Sequence, residues 1–364
     1  MRRIFYIVLF LNVLVFSQTE KPQYSLDVNY YYGSILPHSE KIKHLISAHP
    51  DGFFLSFQQK TFGDKEWQRR LNYPDLGITL HYQNNYNPTL GDLYGIFAHY
   101  NFYFLKRNLQ LRVGQGFAYN TNPYHKEKNY KNLAFGTRIM PSTFFMLNFQ
   151  KENIWEGLGL RAGTFLIHHS NGTIKTPNTS INTVGANIGL HYTLDHTNER
   201  NYRIREPVDS IFYRPIKYSV TLRSGIHESN IIGSGQHPFY FIAVHADKQF
   251  TESSAFQLGL DLFLSMKTKK EIEMMAVSFP ELGISPDTDY KRVGVFVGYE
   301  LFINRLSFEA QFGYYLHDEY KANQDVYQHI GLKYYFHPKI FAGMGLKTHF
   351  SKAEAFDLSV GLRL

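Results

Sequence analysis

Apolar and polar residues alternate along most of the chain. In Phe256-Gln257-Leu258-Gly259-Leu260-Asp261-Leu262-Phe263-Leu264 every even position is apolar and the odd ones are mostly polar or Gly. Leu306, Phe308, Ala310, Phe312 and Tyr314 alternate with Ser307, Glu309, Gln311 and Gly313. The C-terminal stretch sets Phe356, Leu358, Val360, Leu362 and Leu364 against Asp357, Ser359, Gly361 and Arg363. Successive side chains on a strand point to opposite faces, so each segment predicts a strand with one greasy face and one polar or small face. A soluble sandwich would bury the greasy face against a second sheet. An outer-membrane barrel would turn it toward lipid. The segments are longer than the ~5–6 residues usual in soluble strands, and Tyr and Phe crowd their ends as interfacial girdles do.

Sixteen such segments can be drawn, from 24–35 to 355–364. With both termini in the periplasm, short turns at Lys106-Arg107, Lys151-Glu152-Asn153, Thr251-Glu252-Ser253, Asn304-Arg305 and His337-Pro338-Lys339 all fall on the periplasmic side. The long links 36–50, 121–132, 171–180 and 268–289 fall outside, the asymmetry of bacterial barrels. Links 61–73 and 195–215, the second charged and holding Pro207, are long for periplasmic turns, and Pro141 suggests a bulge or break. The expected fold is all-β: a transmembrane, antiparallel, up-and-down β-barrel of even strand number, about 16 with 12 or 14 as alternatives. Residues 18–364 are expected to form this single barrel.

Residues 1–17 predict an export signal. Met1-Arg2-Arg3 is cationic, Ile4 to Phe16 is apolar but for Asn12, and polarity returns after Ser17, near which cleavage is expected. The chain has no Cys, which excludes a disulfide scaffold and a lipoprotein. Its aromatic content of 16%, spread throughout, argues against disorder. The net charge of +7 is dispersed, suiting a neighbour of anionic lipid, and no basic run points to nucleic acid. Arg161, Asp261, Glu300, Glu309, Lys333 and Arg363 fall on lumen faces, where they either fill the interior with ion pairs or line a pore.

Candidate chemistry gathers at His168-His169-Ser170-Asn171-Gly172. Arg161 belongs in the lumen, so the even set Leu158 to Ser170 faces lipid and His169 faces the lumen or rim. Imidazole and hydroxyl groups are expensive on a lipid-facing wall unless they serve a purpose. Residues i and i+2 share a face roughly 6.5–7 Å apart, within reach of a base that activates a serine. The next strand puts Asn182 on the same side and the same outer end, where its carbonyl can accept the imidazole's other N–H and fix the tautomer. Asn171 and Gly172 begin the following turn, and their backbone N–H groups are candidates for an oxyanion hole. Asn178, after Pro177, reads as a turn former, and His227-Glu228-Ser229 reads as a loop. The other histidines show no metal-binding spacing.

His-x-Ser-Asn-Gly on such a strand resembles the PagL-type lipid A deacylases, called acyloxyacyl hydrolases in related sequences. Gly114-Gln115-Gly116-Phe117-Ala118-Tyr119, the Asn129–Asn132 stretch and Pro177-Asn178 with Asn182 extend the resemblance, which covers roughly 75–194. The same stretch is similar to outer-membrane phospholipase A, whose third residue also lies twelve positions after the Ser. PagL-type enzymes carry Glu there and the phospholipases carry Asn, as Asn182 does here. Glu127, in the preceding outer loop, is a substitute acid to consider. The resemblance implies an outer-membrane serine esterase with Ser170 as nucleophile, His168 as base and Asn182 as orienting residue. Its substrate would be lipopolysaccharide or, in the alternative, phospholipid. No cofactor is implied by the deacylases; calcium and a homodimer would accompany the phospholipase reading. A non-enzymatic channel or transport barrel is the other class left open.

Overall fold

The computed structural model describes residues 21–198, 200–204, 212–321, 323–350 and 352–364; the expected leader, 1–17, lies outside the described residues. Eight strands, β1 (Tyr24–Ile35), β2 (Asp51–Gln59), β3 (Asp75–Asn84), β4 (Leu93–Phe104), β5 (Leu109–Asn120), β6 (Ile139–Trp155), β7 (Leu158–His169) and β8 (Ile181–Thr193), pair antiparallel in chain order, and β1 closes onto β8. Eight more, β9 (Lys217–Glu228), β10 (Gln236–Gln249), β11 (Ser254–Ser265), β12 (Lys291–Phe302), β13 (Leu306–Asp318), β14 (Val326–His337), β15 (Ile340–His349) and β16 (Lys352–Arg363), do the same, and β16 closes onto β9.

The antiparallel up-and-down fold and the sixteen strands match the pattern of the sequence, but the strands close as two eight-stranded barrels rather than as the single barrel expected over 18–364. The long link 195–215 has its explanation here, because it joins one barrel to the next. The alternation of side chains is the same whichever strand closes a sheet, so only the pairing of β1 with β8 distinguishes the two outcomes. Two smaller differences concern β6. It runs on to Trp155, so its turn falls at Glu156-Gly157, where Gly157 takes φ +85°, rather than at Lys151–Asn153. Pro141 lies within β6, paired with Phe117, and does not break it.

The greasy faces point outward. Phe256, Leu258 and Leu260 are 61%, 60% and 54% exposed, while Gln257 and Asp261 between them are buried. A sandwich would show the reverse, so the apolar belts are lipid-facing walls. Among the described residues no helix is long and apolar enough to cross a membrane.

Eight strands leave an interior that side chains fill. In the first barrel an aromatic layer of Tyr31, Phe54, Phe97, Phe144 and Phe165 lies above a polar layer. There Asp27 meets Arg112 at 2.7 Å and Arg161 at 3.0 Å, all three side chains fully buried. The outer mouth is stoppered by Ile42 and Leu45 of the 36–50 link, packed with Ile35, Leu90, Phe135 and Ile181. In the second barrel Glu309 takes Arg223 at 2.8 Å and Lys333 at 2.6 Å, Glu300 also meets Lys333, and Asp247 pairs with Arg363. Asp261 accepts from the Tyr327 hydroxyl. The lumen charges thus fill both barrels with paired groups. At the inner end, the short helix α1 (Glu66–Arg70) ties the barrels together through Arg70 and Glu252 at 3.0 Å.

Candidate active site

The candidate residues sit at the outer end of β7, beside the stoppered mouth of the first barrel. Phe165, Ile167 and His169 alternate inward. His169 is fully buried against Ser142, whose hydroxyl lies 2.8 Å from its Nδ1, and it stacks on His81. His168 therefore projects from the outer wall, as its parity requires. Directly across the ladder from it lies Asn182. His168 Nδ1 is 2.6 Å from Asn182 Oδ1. A carbonyl oxygen can only accept, so Nδ1 carries the proton and Nε2 is left basic. The Asn182 amide nitrogen faces His38 Nδ1 at 3.4 Å, and His38 Nε2 reaches the Thr179 carbonyl at 2.9 Å.

Ser170 follows β7 by one residue, its N–H donating to the Pro141 carbonyl at 3.3 Å. It is not on the open wall: only 8% exposed, it lies under its own turn. Two donors surround its hydroxyl oxygen, the Gly172 N–H at 3.2 Å and the Asn178 side-chain amide at 3.0 Å. No hydrogen bond joins Ser170 to His168; the hydroxyl's partners are Asn178 and Gly172.

Of the two N–H groups expected to form an oxyanion hole, that of Gly172 points at the serine oxygen, whereas that of Asn171 donates to Asn178 Oδ1 at 2.9 Å. The Asn171 side chain instead donates to the Lys175 carbonyl at 2.7 Å and closes the turn. Gly172 takes φ +60°, the left-handed region that favours glycine. Asn178 and His38 escaped the reading of the sequence. A Pro-Asn pair reads as a turn, and His38 lies in a long link with no periodic signal. Glu127 stays within its own loop, its N–H donating to His125.

The neighbouring strands continue the polar row. Thr143 on β6 lies opposite His168, Gln115 on β5 lies opposite Thr143, and the Thr143 hydroxyl donates to Gln115 Oε1 at 2.5 Å. Gln115, Thr143, His168 and Asn182 thus cross four adjacent strands of an otherwise apolar wall. Among the described residues no three His, Asp or Glu side chains gather as a metal-binding set.

Two family models match the chain, one to each barrel. Residues 51–191 match the lipid A 3-O-deacylase (PagL) family, and residues 216–364 match the acyloxyacyl hydrolase C-terminal domain. The chain belongs to the PagL-type lipid A deacylases. The deacylase match takes in β2 to β8 with the His168–Ser170 segment, and the C-terminal match coincides with the second barrel. Among solved structures, two engineered mutants of the Rhodopseudomonas blastica porin align at 11% and 10% identity. Each covers 94% of this chain and 99% of its own, with a TM-score of 0.21. No curated protein matches the chain. Both matched families are those of the deacylase reading, not of the phospholipase or channel alternatives.

Proposed function

We propose that Ser170 is the nucleophile with which this lipid A deacylase of the outer membrane opens an acyl ester. His168 Nε2 takes the hydroxyl proton as Ser170 Oγ forms a bond to the ester carbonyl carbon. Asn182 holds the ring in the tautomer that keeps Nε2 free for this task. The carbonyl oxygen gains the negative charge and is met by the Gly172 N–H and the Asn178 amide, both already directed at the serine. Collapse breaks the bond to the sugar oxygen, which leaves with the proton held on His168. Water, deprotonated by the same imidazole, then releases the fatty acid and restores Ser170. For this transfer the Ser170 hydroxyl turns from Asn178 Oδ1 to His168 Nε2 when substrate is bound, a hydrogen bond made in the complex rather than in the free protein.

The observation that carries this reading is the 2.6 Å contact of His168 with Asn182 one residue from the turn that holds Ser170. With both termini on the periplasmic side, this end of β7 is level with the outer leaflet, where lipopolysaccharide resides. The family's description points to the acyl chain at the 3-position of lipid A. Mass spectrometry of lipid A from cells expressing the wild type should show loss of one acyl chain, and Ser170→Ala should abolish that loss while the protein still folds. Unchanged lipid A together with new lysophospholipid would overturn the substrate; full activity in Ser170→Ala would overturn the nucleophile.

A further inference from the structure

The turn that carries Ser170 is held as much by the second barrel as by the first. Gly172 leans on β16 so closely that a Cβ there would lie 2.6 Å from that of Phe356. The Thr173 carbonyl accepts the Glu228 N–H at 2.9 Å, and the Thr173 hydroxyl donates to the Glu354 carbonyl at 2.6 Å. The Ile174 carbonyl accepts from the Gln236 amide at 2.8 Å, and the Thr176 hydroxyl donates to the Ser229 carbonyl at 2.5 Å.

Glu228, at the end of β9, joins these contacts into a clamp. One carboxylate oxygen accepts the Thr176 N–H at 2.8 Å. The other accepts the N–H groups of Gly233 and Gly235, both at 3.2 Å, and so shapes the β9–β10 turn that carries Ser229 and Gln236 toward the serine loop. The side chain is nearly buried at 5% exposure, and its carboxylate accepts from backbone N–H groups. A carboxylate buried in this way is costly unless hydrogen bonds offset its lost hydration, and here the three N–H groups do so. Thr176 stands two residues before Asn178, the side chain that grips the Ser170 hydroxyl. The route from Glu228 through Thr176 to Asn178 and Ser170 is short and continuous.

We infer that Glu228 is a positioning residue for deacylation, through which the second barrel holds the Ser170 turn in its reactive shape. The inference rests on the assignment of Ser170 as nucleophile. It gives the second barrel a part in the chemistry without placing any of its side chains on the substrate.

The test uses the full chain in detergent micelles with Glu228→Ala and Glu228→Gln. Three quantities are read: kcat and KM for acyl release, the rate at which a small fluorophosphonate labels Ser170, and heat-modifiable gel mobility as the sign of folded barrels. Displacing a catalytic group by about 1 Å can cost about 10²-fold. In Glu228→Ala, kcat and the labelling rate should therefore fall together by roughly 10- to 100-fold, with KM changed less than about twofold. Glu228→Gln, which keeps one acceptor oxygen, should recover part of the loss. If Glu228→Ala fails to fold, Thr176→Val and Gln236→Ala each remove one strap and should lower the labelling rate in the same direction. Folded variants that label and turn over at the wild-type rate would overturn the inference. Wild-type protein that takes no label at Ser170 would instead overturn the nucleophile assignment.

Discussion

Asn and Asp have the same shape, so Asn182→Asp keeps the oxygen that His168 Nδ1 meets at 2.6 Å and adds a charge beside it. A carboxylate stabilises the imidazolium formed during attack better than a neutral amide does. The expected result is a kcat equal to or above the wild type in Asn182→Asp and a fall of roughly 10²-fold in Asn182→Ala, read as acyl release from micellar substrate. Loss of activity in the Asp variant would show that the neutral amide is itself required. The pairing of His168 with Asn182 was legible in the sequence because parity and register are short-range rules, and the loop over 170–180 returns position 182 beside 168. Asn178 was not legible, because its hold on Ser170 arises inside a loop whose path no periodicity records. Glu228 was hidden for a stronger reason: its partner Thr176 lies 52 residues away on another barrel.

At the scale of the element, the turn after β7 depends on Gly172. An alanine there would have to sustain φ +60° and press its Cβ to 2.6 Å from that of Phe356. Alanine at a positive φ costs more than about 1 kcal/mol, and the neighbouring strand does not yield cheaply. Gly172→Ala is expected to lose ester hydrolysis while both barrels keep their heat-modifiable mobility. Retained activity would mean that the turn tolerates a shift away from β16. The strands themselves were readable from period two, since lipid outside and polar side chains inside impose opposite demands on alternate residues. Their ends were less so. The expected turn at Lys151–Asn153 and the observed one at Glu156-Gly157 are both made of polar residues or Gly, and only pairing with β7 decides between them.

At the scale of the molecule, closure into two narrow barrels decides what the interior can be. Sixteen strands in one ring could enclose water, whereas eight per ring are filled by side chains. Asp27 is the hinge of the first interior, facing two buried guanidinium groups. Asp27→Ala would leave Arg112 and Arg161 without their counter-ion, and breaking a buried pair of this kind costs about 3–5 kcal/mol. The expected outcome is a clear drop in the urea midpoint of the first barrel; an unchanged midpoint would mean that water solvates the two arginines. The number of strands was legible, but their grouping was not, because it depends on whether β8 meets β1 or β9, a choice that leaves no mark on alternation. The segment 194–216 is the covalent link between the rings, and β8 and β9 share no ladder. A single proteolytic scission there would leave each circle of hydrogen bonds whole, so the halves could be parted, assayed alone and mixed again, a dissection that one ring of sixteen would never permit.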